Sequence, residues 1–208
     1  MSQVIDTSAT RRPDGTHRVV ITGMGAVTPA GVGVDALWDA VMGKRCCLDT
    51  ISHFDHEAFD VHVAGEVRDF DPTEHGLSKK EARRFERFVQ YAIVAADEAM
   101  AQSGIDMEQE DPTRAAVIFG AGIGGIDELQ NGFYTLHDKG PKRVSPLFIP
   151  TMIGNIAAGH LAGIRHMRVL IELMVHIPLR TETDRKGNEY EQKIGHEDHS
   201  LYCLSIYI

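Results

Sequence analysis

The residues whose types and spacing could do chemistry fall into four groups. Gly120-Ala121-Gly122-Ile123-Gly124-Gly125 satisfies GxGxxG after a short apolar run, the pattern by which a strand-to-helix turn cradles a pyrophosphate. Cys46 and Cys47 are adjacent and Cys203 is distant, which supplies thiols but neither a CxxC metal pattern nor a disulfide framework. Lys79, Lys80, Arg83 and Arg84, followed later by Lys142 and Arg143, concentrate positive charge in two short segments. His196, His199 and Cys203 bring together donors of the kind zinc takes.

Each group also has a plainer reading. A dinucleotide site expects an acidic residue ending a second strand about 20 positions on, where this chain has the loop Asp138-Lys139-Gly140-Pro141. Nicotinamide or flavin binding is therefore discounted, and the glycines serve close approach of one backbone to another. The earlier Gly23-Met24-Gly25-Ala26-Val27-Thr28 lacks the third glycine altogether. The three donors near the C-terminus lack a fourth, so no metal is assigned. Cys203 has bulky neighbours and no small-residue turn before it, a poor setting for a nucleophile. A basic cluster on an anonymous helix is ordinarily a solvated face.

The elements that must position these residues alternate in type. Arg18-Val19-Val20-Ile21-Thr22 is short and β-branched, and predicts a buried strand stopped at a tight turn by Gly23-Met24-Gly25. A helix follows, capped by Asp35, with apolar positions from Ala36 to Met42 and Gly43 as its stop. Residues 49–70 are turn-rich, with a small strand around Val61, Val63 and Gly65. Ser78 and Glu81 form a capping box that opens a long helix, whose apolar residues Phe85, Phe88, Val89, Ala92, Ile93 and Ala96 recur at helical spacing until Ser103-Gly104. Arg114–Phe119 predicts a second strand, Ile126–Leu136 a helix, and Lys139–Arg143 a basic loop. This alternation predicts an α/β layer architecture.

The chain has 208 residues, 43% hydrophobic and 25% charged, which is ordinary globular composition. A formal net charge of −9 disfavours general affinity for nucleic acid or anionic membrane, while leaving local basic patches free to meet an acidic partner. No apolar run approaches the roughly 18–20 residues that cross a bilayer. Residues 1–17 are polar, lack the apolar core of a signal peptide, and read as a flexible extension. The cysteine usage suits a reducing cytoplasm.

Taken in order, the motifs resemble the elongating, type II β-ketoacyl-acyl carrier protein synthases, condensing enzymes of the thiolase fold. The landmarks are Val19-Val20-Ile21-Thr22-Gly23-Met24-Gly25 with Thr28-Pro29, then Arg87-Phe88-Val89-Gln90-Tyr91-Ala92, then Gly120–Gly125. Val144-Ser145-Pro146-Leu147-Phe148-Ile149-Pro150 and Asn155-Ile156-Ala157-Ala158-Gly159-His160 complete them. The resemblance covers residues 17–164, about seven tenths of the chain. It implies an incomplete thiolase-like layered fold, the N-terminal half, in a homodimeric cytoplasmic enzyme.

The implied reaction is a decarboxylating Claisen condensation between a cysteine-bound acyl group and malonyl-acyl carrier protein, in fatty acid or polyketide synthesis. It needs no cofactor beyond the phosphopantetheine arm that delivers the acyl groups. The resemblance implies that Ile123 limits the depth of an acyl pocket, and that Phe148 and Ile149 reach the neighbouring subunit's pocket. It implies that Lys79, Lys80, Arg83, Arg84, Lys142 and Arg143 dock acidic acyl carrier protein. His160 belongs to a family motif without a catalytic position there, and its expected state is buried and hydrogen-bonded.

From Arg165 the pattern is lost. Where the family places its Thr-Ala-Cys nucleophile, roughly twenty residues on, this chain reads Arg180-Thr181-Glu182-Thr183-Asp184-Arg185-Lys186. The expected organisation is an extension over 1–17, a partial synthase domain over 18–164, and a divergent tail over 165–208. Such a tail is expected to be partly disordered, or to come from a shifted reading frame, a mis-spliced end or a mistaken gene boundary. No catalytic residue is identified, so the chain is expected to be inactive alone. The alternative is a non-catalytic module that binds acyl carrier protein or dimerises. Either way, half a thiolase-like fold is expected to leave apolar area uncovered.

Overall fold

The computed structural model describes residues 19–165, 168–169 and 203–207. The predicted extension over 1–17, the polar stretch 180–186 and the candidate ligands His196 and His199 lie outside the described residues; of Cys203 the backbone alone is described.

The first strand, β1, runs from Ile21 to Thr28 and is longer than the sequence pattern predicts, because Gly23 and Gly25 continue it rather than turn it. The chain then reverses into β2 (Gly31–Val32) and enters α1 (Val34–Met42). A two-stranded hairpin follows, β3 (Asp49–Thr50) with β4 (Val63–Ala64). Next come α2 (Lys79–Arg84), α3 (Arg87–Ser103), β5 (Ala116–Val117) and α4 (Ile126–Lys139). The described chain closes with α5 (Phe148–Met152), α6 (Ile156–Arg165), β6 (Arg168–Val169) and β7 (Cys203–Tyr207). β1 lies between β2, antiparallel, and β7, parallel, while β5 and β6 form a separate parallel pair. Two segments of the stretch after 165 therefore take part in sheets, which its composition did not suggest.

The glycines of β1 have a packing cause. A Cβ on Gly23 would overlap the Ala99 carbonyl oxygen, and one on Gly25 that of Ala95. α3 thus lies directly on the strand, its contact face built from the small buried residues Ala92, Ala95, Ala96 and Ala99. Forcing a methyl into either position would separate helix from strand, a cost of about 1–3 kcal/mol. Polar groups of the same helix take main-chain donors at the junction: Gln102 Oε1 accepts from Met24 N at 2.6 Å, and Glu98 Oε2 from Ala26 N at 3.0 Å. Glu98 Oε1 accepts Val34 N at 2.8 Å, satisfying the first helical N–H of α1. The cap predicted for Asp35 is therefore corrected. Gly33 occupies the N-cap with φ +99°, a neighbouring helix supplies the carboxylate, and Asp35 sits in the first turn.

The long helix predicted from Ser78 is two helices. The Ser78–Glu81 capping box forms as expected, contributing about 1 kcal/mol, but α2 ends at Phe85 in extended conformation. Buried Gln90 donates from Nε2 to the Ala82 and Phe85 carbonyls at 3.0 and 2.7 Å, taking acceptors that the interruption frees. The core then gathers Val27, Val89, Ile93, Phe119 and Leu161 from β1, α3, the end of the β5 segment and α6. Large apolar side chains also remain outside: Trp38 is 60% exposed and Met42 64% on α1, and Phe133 61% on α4.

Candidate functional site

The loop after β5 carries Ile123 just ahead of two glycines, Gly124 and Gly125, that face another segment. Gly124 has φ +86°, in the left-handed region, and a Cβ there would come 2.6 Å from the Met152 carbonyl oxygen. Gly125 N donates to that same oxygen at 2.9 Å. The glycine-rich loop is thereby held against the C-terminal end of α5, and Gly124 and Gly125 serve this close backbone approach.

α5 begins with Phe148 and Ile149. The Phe148 ring lies over Gly132 of α4, where any side chain would displace it. The hydrogen bond at Met152 and the ring at Gly132 thus place the Ile123 loop, Phe148 and Ile149 in adjoining segments. Ile123 is 69% exposed and Ile149 56%, so in this chain they line a surface.

Beside them opens a cleft of about 560 Å³ between the end of α2 and the segment entering α5. Arg83 and Arg84 form one wall, Ser145, Leu147 and Thr151 the other, and Glu86 and Glu128 lie within it. All four basic residues of α2 are exposed, as are Lys142 and Arg143 in a short 3-10 turn, Pro141–Arg143. Glu81 is the one acidic side chain in the six residues of α2, and it is occupied by Ser78. That bond holds its carboxyl below the usual range. α2 itself thus carries four basic side chains against one acidic one, although the chain as a whole is negative.

Three groups near this cleft are shifted. Burial, with repulsion from Asp127 and Glu128, pushes the Glu86 carboxyl above its ordinary range. Burial, then the positive charge of Arg84, pushes His160 down. Its ring packs against Phe85 at 4.3 Å between centroids, so half-buried aromatic packing replaces the fully buried position expected for it. Burial also pushes the Tyr91 hydroxyl up.

The Arg87–Ala92 motif is explained by positioning. Arg87 donates to the Phe70 carbonyl at 3.0 Å and lies 5.6 Å over that ring, while Tyr91 meets Phe70 edge-on at 4.9 Å. Gln90 closes α2 and so sets the direction of its basic residues. Sequence reasoning missed both roles; the available signal was a glutamine inside an apolar helical stripe.

A second cleft, of about 530 Å³, is lined by Arg45, Cys46, Cys47, Asp49, Glu66 and Arg68 among others. Arg68 holds its rim, donating to Asp49 at 2.8 Å and to Glu66 at 3.0 Å. Glu66, which also accepts from the Ser52 hydroxyl and amide, is lowered to about 2. Cys46 and Cys47 are free thiols, and no histidine lines this cleft to serve as a base. Among the described residues no group of three or more His, Cys, Asp or Glu is placed to hold a metal ion, and no helix is long and apolar enough to cross a membrane.

Comparison with known proteins bears on the family and the fold. The profile of the "Beta-ketoacyl synthase, N-terminal domain" family matches residues 16–168. The chain is 42% identical over 152 residues to 3-oxoacyl-[acyl-carrier-protein] synthase 2 of Vibrio harveyi, covering 73% of this chain and 36% of that protein. With the synthase 2 of Staphylococcus aureus strain COL it shares 43% over 145 residues, 70% of this chain and 35% of the relative. The chain thus spans about a third of the length of these curated relatives.

Among solved structures, a type II polyketide ketosynthase in complex with its acyl-carrier protein and bound to the hexaketide superposes with TM-score 0.60 at 26% identity, over 74% of this chain and 41% of that one. The ishigamide ketosynthase/chain length factor gives 0.65 at 24%, over 76% and 40%, which shows the shared fold.

Proposed function

The chain belongs to the β-ketoacyl synthase family, as an N-terminal portion of the thiolase-like condensing fold, and from that premise we propose that it carries the carrier-docking face and part of the acyl-pocket wall of such an enzyme. The observation that supports this most is the joining of Arg83 and Arg84 to the Phe148 segment across one cleft, with the Ile123 loop bonded to the same α5.

In this reading Lys79, Lys80, Arg83, Arg84, Lys142 and Arg143 steer an acidic acyl carrier protein to the surface. Charge attraction raises the encounter rate and fixes orientation more than it adds raw affinity. The phosphopantetheine arm then brings its thioester towards Ile123, whose side chain sets how far an acyl chain can extend. Phe148 and Ile149 face a second subunit of a homodimer. In the complete enzyme the arm feeds the decarboxylating condensation of an acyl thioester with malonyl-acyl carrier protein, with no cofactor of the enzyme's own. The free thiols Cys46 and Cys47 suit a reducing cytoplasm as its place of action.

The condensation itself needs a thiolate nucleophile, stabilisation of a developing thioester oxyanion, and oxyanion-binding N–H groups. We assign none of these to the described residues. The chain by itself therefore binds the carrier protein without condensing. Incubating the full chain with acyl- and malonyl-carrier protein should leave both substrates unchanged by mass spectrometry, while the chain still retains holo-carrier protein on a column. Appearance of a 3-oxoacyl product would refute the non-catalytic reading.

A further inference from the structure

The segment between β3 and β4 holds three of the chain's eleven histidines, His53, His56 and His62, none used by the docking face. Two of them converge. Nδ1 of His56 lies 2.9 Å from Nδ1 of His62, with ring centroids 5.1 Å apart and planes inclined at 66°. Their backbones are fixed independently of this contact. His62 extends the hairpin by accepting Ile51 N at 2.9 Å, next to the Thr50–Val63 pair, and His56 closes a turn by accepting Phe59 N at 3.1 Å. His62 is exposed and His56 half-buried, so the pair sits at the surface.

We propose that His56 and His62 form a two-point chelate for a divalent transition-metal ion of the nickel(II) or copper(II) class, with water filling the remaining positions. Metal–imidazole bonds of about 2.05 Å place two ligand nitrogens about 2.9 Å apart across a right angle and about 3.3 Å apart across a tetrahedral one. The observed 2.9 Å separation fits the right-angled edge that square-planar and tetragonal ions present. Without metal the same contact is a hydrogen bond, one ring donating from Nδ1 to the other. When an ion enters, the donated proton moves to Nε2 of its own ring, and both rings turn their Nδ1 lone pairs towards the ion. His53 stands apart from the chelate, 3.6 Å from Asp127. Two protein ligands make a labile site that exchanges its ion, unlike a structural zinc centre. This inference does not depend on the carrier-docking reading.

Nickel(II) chloride is the suitable probe, because the thiols of Cys46 and Cys47 would reduce copper(II). Calorimetric titration of the full chain is compared with His56→Gln, His62→Gln, the double variant, His137→Gln, and a His196→Gln/His199→Gln control, with far-UV circular dichroism confirming that each keeps the fold. Loss of an outer-sphere partner already costs about 10–100-fold in metal affinity, so loss of a direct ligand should cost at least tenfold. Each single variant at His56 or His62 should show that loss, the double variant little more, and the controls none. Zinc(II) should bind wild type no more tightly than nickel(II). The proposal is overturned if wild type takes up no nickel, if either single variant binds within twofold of wild type, or if the controls lose as much affinity as the pair.

Discussion

Gly125 donates its amide to the Met152 carbonyl at 2.9 Å, and this bond ties the loop bearing Ile123 to the helix bearing Phe148 and Ile149. The neighbouring Gly124 makes the approach possible, with φ +86° and no room for a Cβ against Met152 and Gly154. Gly124→Ala must therefore both strain its backbone and push the loop away from α5. A loss of about 1–3 kcal/mol is expected. At about 2–4 °C per kcal/mol for a chain of this size, thermal unfolding should register it as a clear drop in midpoint. An unchanged midpoint would mean that the two segments are not held together by this contact.

Glu98 joins β1, α1 and α3 through a single carboxylate, accepting from Ala26 and Val34. Removing it strands two partly buried N–H groups, each costing about 1–3 kcal/mol when unsatisfied. Glu98→Ala should be destabilised by about 2–4 kcal/mol in urea unfolding. Glu98→Gln, which keeps one acceptor oxygen, should fall between it and wild type; equal losses in the two variants would contradict the shared-acceptor account.

Two groups beside the cleft between α2 and α5 give stability opposite dependences on pH. His160 is held below its ordinary 6.5 in the fold, so the unfolded chain binds the proton more readily. Its neutral form favours folding above about pH 6.5, and stability is lost as pH falls from there towards the lowered folded value. Glu86 is raised above its ordinary 4.5, so the folded chain holds that proton more readily. Its contribution is present below 4.5 and lost as pH rises through the raised value. Denaturant melts from pH 4 to 8 should show a flattened acid side for His160→Gln and a gain at pH 7 for Glu86→Gln. Profiles superimposable on wild type would show that these two sites do not set the pH response.

What the sequence made legible depended on how near the partners lie along the chain. The Ser78–Glu81 capping box was readable because both members sit within three residues. The break at Phe85 was not, since Gln90 reaches back five and eight residues to make its two bonds. Gly23 and Gly25 looked like a turn because what requires glycine there is α3, at Ala99 and Ala95, seventy or more positions away. A separation of 64 residues likewise hid Glu98 as the acceptor for Val34, leaving Asp35 as the local candidate. Ile123, Phe148 and Ile149 carry no spacing signal that relates them, and only the family resemblance put them together. The β3–β4 histidines were passed over because a pair six residues apart in a turn-rich stretch fits no standard ligand spacing.

The central claim is that the positive face of α2, set by Gln90 and Ser78, receives an acidic carrier protein. It is tested most directly by titrating holo-acyl carrier protein into the full chain at two salt concentrations, alongside a Lys80→Glu/Arg83→Glu variant. Both positions are exposed and outside the core, so the variant should fold as wild type does. Wild type should bind, more weakly at the higher salt, and the double reversal should lower affinity by at least about tenfold through like-charge repulsion. Binding of equal strength in the variant, or none in wild type at low salt, would contradict the assignment of this face.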